Sequence, residues 1–249
     1  MESMYQHFEN VRDEKGAAFV VLLDPENEAV ETVARKARLC EEAGADAIFV
    51  GGTLVHSAGI DPFVRELKSA TSLPIVGFPG SANQISEYLD AVLYLSVVSS
   101  RNADFLFGRH IHVAPLIKRL GLEAISTAYM FIESGELTAA QYVAGSMPIP
   151  RGKPDIAVAT CIAAEMLGMK LLYLEGGSGA SQPVPTDMIR AVSDNCESLI
   201  AVGGGLKTTG QVRERVEAGA SIIVVGNALE EKHGLLYMRE MAEAAHTLL

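Results

Sequence analysis

The sequence predicts an α/β fold, a single (β/α)8 TIM-type barrel over residues 1–249, with a phosphate site at its seventh and eighth strands. Three observations carry this expectation. Apolar, β-branched-rich runs recur eight times along the chain. They are continuous rather than alternating, as parallel strands covered on both faces are. Helical patterns separate most of them, and 249 residues is a typical barrel length.

The first run, Ala17–Leu23, ends at Asp24-Pro25, and a helical pattern over Glu28–Ala43 follows until Gly44 stops it. Ala47–Val50 is the second strand, and Asp61–Ala70 is a short helix with Pro62 in its first turn. Pro74–Phe78, Ala91–Val97 and Ala124–Ile132 give strands three to five. The irregular piece Gly135–Pro154 follows the fifth strand, on the face where βα loops gather, and is expected to border a site. A helix over Asp155–Leu167 leads to strand six at Lys170–Leu174. Thr186–Asn195, Leu199–Val202, Thr209–Ala218 and Ser221–Val225 complete the alternation. The phrases Glu42-Ala43-Gly44-Ala45-Asp46 and Glu217-Ala218-Gly219-Ala220-Ser221 both end a helix and start a strand.

The composition excludes several classes. A net charge of −11 and a pI of about 5.0 give no basic face for nucleic acid. Cys40, Cys161 and Cys196 are odd in number and widely spaced, which reads as reduced thiols in a cytoplasmic protein. The segment Met1 to Lys15 is polar and charged, unlike a secretory signal, and no apolar run reaches the ~20 residues of a membrane span.

In such a barrel the chemistry sits at the C-terminal ends of the strands. There the chain places Asp24, Gly51-Gly52-Thr53, Phe78-Pro79-Gly80, Ser96, Tyr129, Tyr173 with Glu175, Gly203-Gly204-Gly205 and Gly226-Asn227. The last two clusters suit phosphate binding through backbone N–H groups. Glu175 closes a buried strand, where an unpaired carboxylate is costly unless it serves a ligand or an ion pair. Tyr173, two residues back, points to the same side, and together the two can hold and deprotonate a hydroxyl. Asp24 has two readings: an N-cap for the following helix, or a Mg²⁺ ligand facing a phosphate site. Thr53 either caps a helix or turn or adds a hydroxyl to that cation. His56, His110, His112 and His233 show no partner spacing and read as surface or satisfied core residues. Arg151, Lys153, Lys207 and Arg101 are basic residues near the same face.

Taken in order, Asp24-Pro25, Gly51-Gly52-Thr53, Phe78-Pro79-Gly80, Lys153-Pro154-Asp155-Ile156, Tyr173-Leu174-Glu175-Gly176-Gly177-Ser178-Gly179, Val202-Gly203-Gly204-Gly205 and Val225-Gly226-Asn227 resemble the geranylgeranylglyceryl phosphate synthase family. The resemblance runs from Val20 to about Glu230. It implies a prenyltransferase of archaeal-type ether-lipid synthesis that joins sn-glycerol 1-phosphate to geranylgeranyl diphosphate. It implies Mg²⁺ at Asp24 and Thr53, and glycerol phosphate held by Tyr173, Leu174, Glu175, Gly176, Gly177, Ser178 and Gly179 with Gly203, Gly204, Gly205, Gly226 and Asn227. Glu175 would be the base, with Tyr173 beside it. The resemblance also implies a homo-oligomer, for which Tyr142 is a candidate interface aromatic. A branch using a heptaprenyl donor carries Lys directly before Leu-Asp-Pro; here Leu22 stands there, which favours the archaeal-type branch. Tyr94, Val97, Val98, Ala128, Tyr129 and Phe131 are candidate walls for the prenyl tail. The competing expectations are a heptaprenylglyceryl phosphate synthase, a sugar-phosphate isomerase and a non-catalytic phosphate-binding barrel.

Overall fold

The structure, a computed structural model, describes residues 2–56, 59–226 and 234–249. In chain order the elements are α1 (Met4–Lys15), β1 (Ala18–Leu23), α2 (Val30–Glu42), β2 (Ala47–Val50), α3 (Asp61–Ala70), β3 (Ile75–Gly77), β4 (Ala91–Val97), α4 (His110–Leu120), β5 (Glu123–Phe131), α5 (Ala139–Ala144), α6 (Pro154–Met166), β6 (Leu171–Glu175), α7 (Thr186–Ser193), β7 (Leu199–Gly203), α8 (Thr209–Glu217), β8 (Ile222–Val225) and α9 (Gly234–Ala245). Every adjacent strand pair is parallel, and β8 pairs with β1, so the eight strands close a barrel. The eight sequence-predicted strands all appear, each within a residue or two of its expected ends.

Strand parity divides the core into two layers. Val20, Phe49, Val76, Leu93, Tyr129, Tyr173, Ala201 and Val224 fill the barrel interior. Their neighbours Val21, Ile48, Ile75, Met130, Leu174, Val202 and Ile223 face outward and pack beneath the helices. Both faces are therefore apolar, which explains the continuous hydrophobic runs.

The polar N-terminal segment, to which no element is assigned from the sequence, forms α1. Ser3 caps it by accepting from the Gln6 N–H at 3.1 Å. Its Phe8 and Val11 enter the interior cluster, where Phe8 meets Phe49 edge-on, 6.1 Å between ring centres. Those contacts place α1 at the end of the barrel opposite the strand C-termini. Glu123 accepts from the Met4 and Tyr5 backbone N–H groups at 2.6 and 3.1 Å, an anion at a helix N-terminus. Replacing Glu123 with Ala should lower stability by about 1–2 kcal/mol, measured by urea unfolding, without changing turnover.

A buried carboxylate fastens both chain ends to β2. Asp46 accepts from Lys15 Nζ at 2.6 Å, the Phe19 N–H at 2.8 Å and His246 Nε2 at 2.8 Å. Burial raises its pKa, but these bonds outweigh burial and leave it below the usual Asp value. α4, α5 and α9 are further helices that the sequence pattern does not predict. Among the described residues no helix is long and apolar enough to cross a membrane.

Candidate active site

Glu175 is the last residue of β6 and points into the barrel mouth. It is flanked in register by Phe131 of β5 and Gly203 of β7. A side chain at Gly203 would put a Cβ 2.5 Å from the Tyr173 hydroxyl and 3.0 Å from Glu175 Oε2. Gly203 is therefore bare because Tyr173 and Glu175 occupy its space. Gly204 has φ +83°, and a Cβ there would lie 2.6 Å from Glu175 Oε1. Much of the glycine run after β7 thus makes room for the carboxylate.

The Gly177 N–H donates to Glu175 Oε1 at 2.5 Å. Burial pushes the Glu175 carboxyl up to about 7, opposed by that N–H and by hydrogen bonding from the Tyr173 and Tyr129 hydroxyls. Burial and the facing carboxylate push both tyrosines well above the usual phenol range, so they remain donors. An aromatic group holds them. Tyr173 stacks on Phe78 at 5.3 Å, and Tyr129 meets Tyr173, Phe78 and Phe131 at 5.2, 5.6 and 5.0 Å. The outcome is a carboxyl that titrates near neutrality and is fixed by three donors. The sequence puts Tyr129 at a strand end and in the apolar wall; its tie to Glu175 depends on the β5–β6 register.

Asp24 follows β1 and faces the same cavity. It does not cap α2, because Ala29 occupies that N-cap. Instead Asp24 Oδ1 accepts from the Glu26 N–H at 3.0 Å, closing a turn at the strand end. Gly52 leaves room for it, since a Cβ there would collide with both carboxylate oxygens. Burial and the charges of Glu26 and Glu28 raise its pKa, against the Glu26 N–H bond. A cation is the natural complement of that environment. Thr53 lines the cavity and does not cap α3, whose N-cap is Ile60. Fully buried Gln84 joins these loops: its Oε1 accepts from the Gly52 and Gly80 N–H groups at 3.1 and 3.3 Å, and its Nε2 donates to the Gly52 carbonyl at 2.9 Å. Nothing in the sequence marked Gln84.

Gly177, Ser178, Gly179, Gly204, Gly205 and Gly226 line the cavity. Gly177, Gly179, Gly204 and Gly205 have φ of +101°, +71°, +83° and +72°, a region that glycine alone enters readily. Three sequence-selected positions do not face it. The Leu174 side chain lies in the outer layer, as strand alternation requires. The Gly176 N–H donates to the Gly203 carbonyl at 2.9 Å, and Gly203 is covered as described. Asn227 and His233 lie outside the described residues.

The cavity measures about 1070 Å³ and extends from the glycines down an apolar trough between β4 and α4. Tyr94, Val97, Tyr129 and Phe131 line it as expected, whereas Ala128 and Val98 pack in the outer layer. Thr138, Ala139, Val143 and Ala144 from the irregular segment also line it. His110 is a satisfied buried residue, accepting or donating at Ser96 Oγ (3.4 Å) and packing edge-on to Tyr94. Arg109 reaches the mouth, donates to the Gly80 carbonyl at 2.9 Å and lies over Phe105. With Lys207 it brings positive charge to the cavity, whereas Arg151 is engaged with the Glu133 and Pro183 carbonyls.

Comparison with known proteins decides the family. The profile of the PcrB family matches residues 9–245. The chain belongs to the PcrB family. The geranylgeranylglyceryl phosphate synthase of Korarchaeum cryptofilum is 44% identical over 95% of this chain and 97% of its own length. That of Chitinophaga pinensis is also 44% identical, over 92% of this chain and 90% of its own. The crystal structure of (S)-3-O-geranylgeranylglyceryl phosphate synthase from Thermoplasma acidophilum, in complex with sn-glycerol-1-phosphate, superposes with TM-score 0.94 at 27% identity, covering 99% of both chains. As a PcrB-family member of this group, the protein is a prenyltransferase.

Proposed function

We propose that this prenyltransferase joins sn-glycerol 1-phosphate to geranylgeranyl diphosphate, forming an ether and releasing diphosphate. One observation carries the reading: a carboxyl titrating near neutrality, Glu175, stands between a glycine-lined pocket and a long apolar trough within one cavity. The relatives' names and the glycerol phosphate bound in the Thermoplasma acidophilum structure support it.

The acceptor's phosphate sits against the glycines after β6, β7 and β8, whose backbone can approach it closely. That anchor sets the acceptor hydroxyl beside Glu175. The carboxylate takes the hydroxyl proton as the oxygen attacks the first prenyl carbon. The bond between that carbon and the diphosphate oxygen breaks, and its electron pair leaves with diphosphate. Tyr129 and Tyr173 keep the carboxylate oriented, and holding both reactants in one cavity supplies much of the rate. The prenyl tail fills the trough, where each buried CH₂ contributes about 0.8 kcal/mol.

A magnesium ion fits the residues at the mouth. Asp24 and Thr53 offer hard oxygen donors, and Gly52 leaves the Asp24 carboxylate uncrowded. When bound, Mg²⁺ offsets charge on the departing diphosphate. Asp24→Ala should shift half-activation to at least about tenfold higher Mg²⁺. A titration matching wild type would leave Asp24 as a turn residue.

The deciding assay combines the protein, sn-glycerol 1-phosphate and radiolabelled prenyl diphosphates, with and without Mg²⁺, followed by lipid extraction. A labelled glyceryl ether formed fastest from the twenty-carbon donor supports the proposal. Faster product from a heptaprenyl donor would move the protein to the longer-chain reaction. No product from any donor would leave a phosphate-binding barrel.

A further inference from the structure

The wall of the apolar trough carries a feature the reaction does not use. Residues 101–120 hold Arg101, Arg109, Lys118 and Arg119 against Asp104 alone, a net +3 in a chain of −11. From Phe105 to Leu120 there is no carboxylate. The segment runs through a π-helical turn, Asp104–Gly108, into α4. Its inner side belongs to the cavity, which Phe105, Val113 and Ile117 line. Its outer side shows Phe107 and Ile111, 68% and 58% exposed and four residues apart, so they share a face. Ala114, Pro115 and Lys118 continue that exposed stripe, with Arg119 beside it.

We propose that this outer face of α4 and the preceding turn docks on an anionic lipid bilayer. Resting on the prenyltransfer reading above, it would let the lipid donor enter and the lipid product leave through the adjoining trough. Three features point to a bilayer. The outer face carries Lys118 and Arg119 with no carboxylate on the same helix, a charge complementary to anionic headgroups and opposite to the net charge of the chain, so the patch orients the molecule. Large apolar side chains stand among the basic ones, the pattern of helices lying in a membrane interface. The helix is itself a wall of the trough, so a docked α4 sets the apolar cavity against the lipid.

The test is sedimentation of the full-length protein with vesicles of phosphatidylglycerol in phosphatidylcholine, and with phosphatidylcholine alone, without substrates. Wild type should bind the anionic vesicles and release at high salt. Phe107→Ser/Ile111→Ser and Lys118→Glu/Arg119→Glu should each weaken binding about tenfold or more. None of these four residues lines the cavity, so turnover of a detergent-dispersed donor should be unchanged. Vesicle binding uses no substrate, so it can fail while turnover stands, and the reverse. Wild type remaining in the supernatant with anionic vesicles would overturn the proposal. So would variants that bind as wild type does. If Phe107→Ser/Ile111→Ser instead breaks an oligomer in light scattering and leaves vesicle binding intact, the face is an interface between copies and the proposal fails.

Discussion

Glu175→Gln should lower turnover by about 10²- to 10⁴-fold, the usual worth of a positioned general base, while glycerol-phosphate binding stays within a few-fold of wild type. The amide keeps an acceptor for the Gly177 N–H and a partner for the tyrosine hydroxyls but cannot take a proton. For the wild type, kcat/KM should rise tenfold per pH unit below about 7 and level above it, because the free carboxyl titrates near that value. The residual rate of the Gln variant should lack this limb. Near-normal turnover in the variant, or a flat wild-type profile from pH 5 to 8, would remove Glu175 from the base role.

The same residue couples activity to stability. Its carboxyl has an ordinary value of 4.5 and is raised to about 7 in the folded protein. Between those two pH values the unfolded chain has released a proton that the native state still holds. Stability therefore falls as pH rises through this window, by roughly 3 kcal/mol from this group, and levels above about 7. Glu175→Gln lacks this loss. In urea unfolding, its stability relative to wild type should grow from pH 5 to 7 and then stay constant. A pH-independent difference would mean that the carboxyl titrates at its ordinary value.

Gly204→Ala should be strongly damaging to both stability and turnover. The new Cβ would lie 2.6 Å from Glu175 Oε1 and 2.8 Å from the Gly177 carbonyl oxygen, at φ +83°. The Gly177 backbone nitrogen is also in its way, so the Gly177 loop and the carboxylate must both move. The expected cost is about 2–4 kcal/mol of stability. Turnover should fall at least about hundredfold, since a displacement near 1 Å suffices for that. Gly168→Ala is the control. It also has positive φ, +81°, but open space around its Cβ. It should cost about 1–2 kcal/mol from backbone strain and leave turnover unchanged. Equal kinetic effects in the two variants would show that strain, rather than the crowding of Glu175, governs the glycine run.

The barrel is legible in the sequence, and so are the strand ends that line the cavity. Eight buried parallel strands write themselves as continuous apolar runs, because both faces are covered, and glycines and carboxylates interrupt those runs where the strands end. Asp24, Thr53, Glu175 and the glycine clusters were legible for that reason. Tertiary structure decided what each does to its neighbours. Tyr129 reaches Glu175 only through the β5–β6 register, which pairs Tyr129 with Tyr173. Gln84 binds the Gly52 loop across 32 residues, and Arg109 meets Gly80 across 29. α1 is polar by composition, and its Phe8 and Val11 gain meaning only once the barrel offers them an open end. Leu174 was chosen with its motif, yet strand parity turns it into the helix layer. Local chemistry is written in order along the chain, but the raised pKa of Glu175 arises from burial, which outweighs the hydrogen bonds from Gly177, Tyr173 and Tyr129. Those neighbours exist only when the sheet has closed.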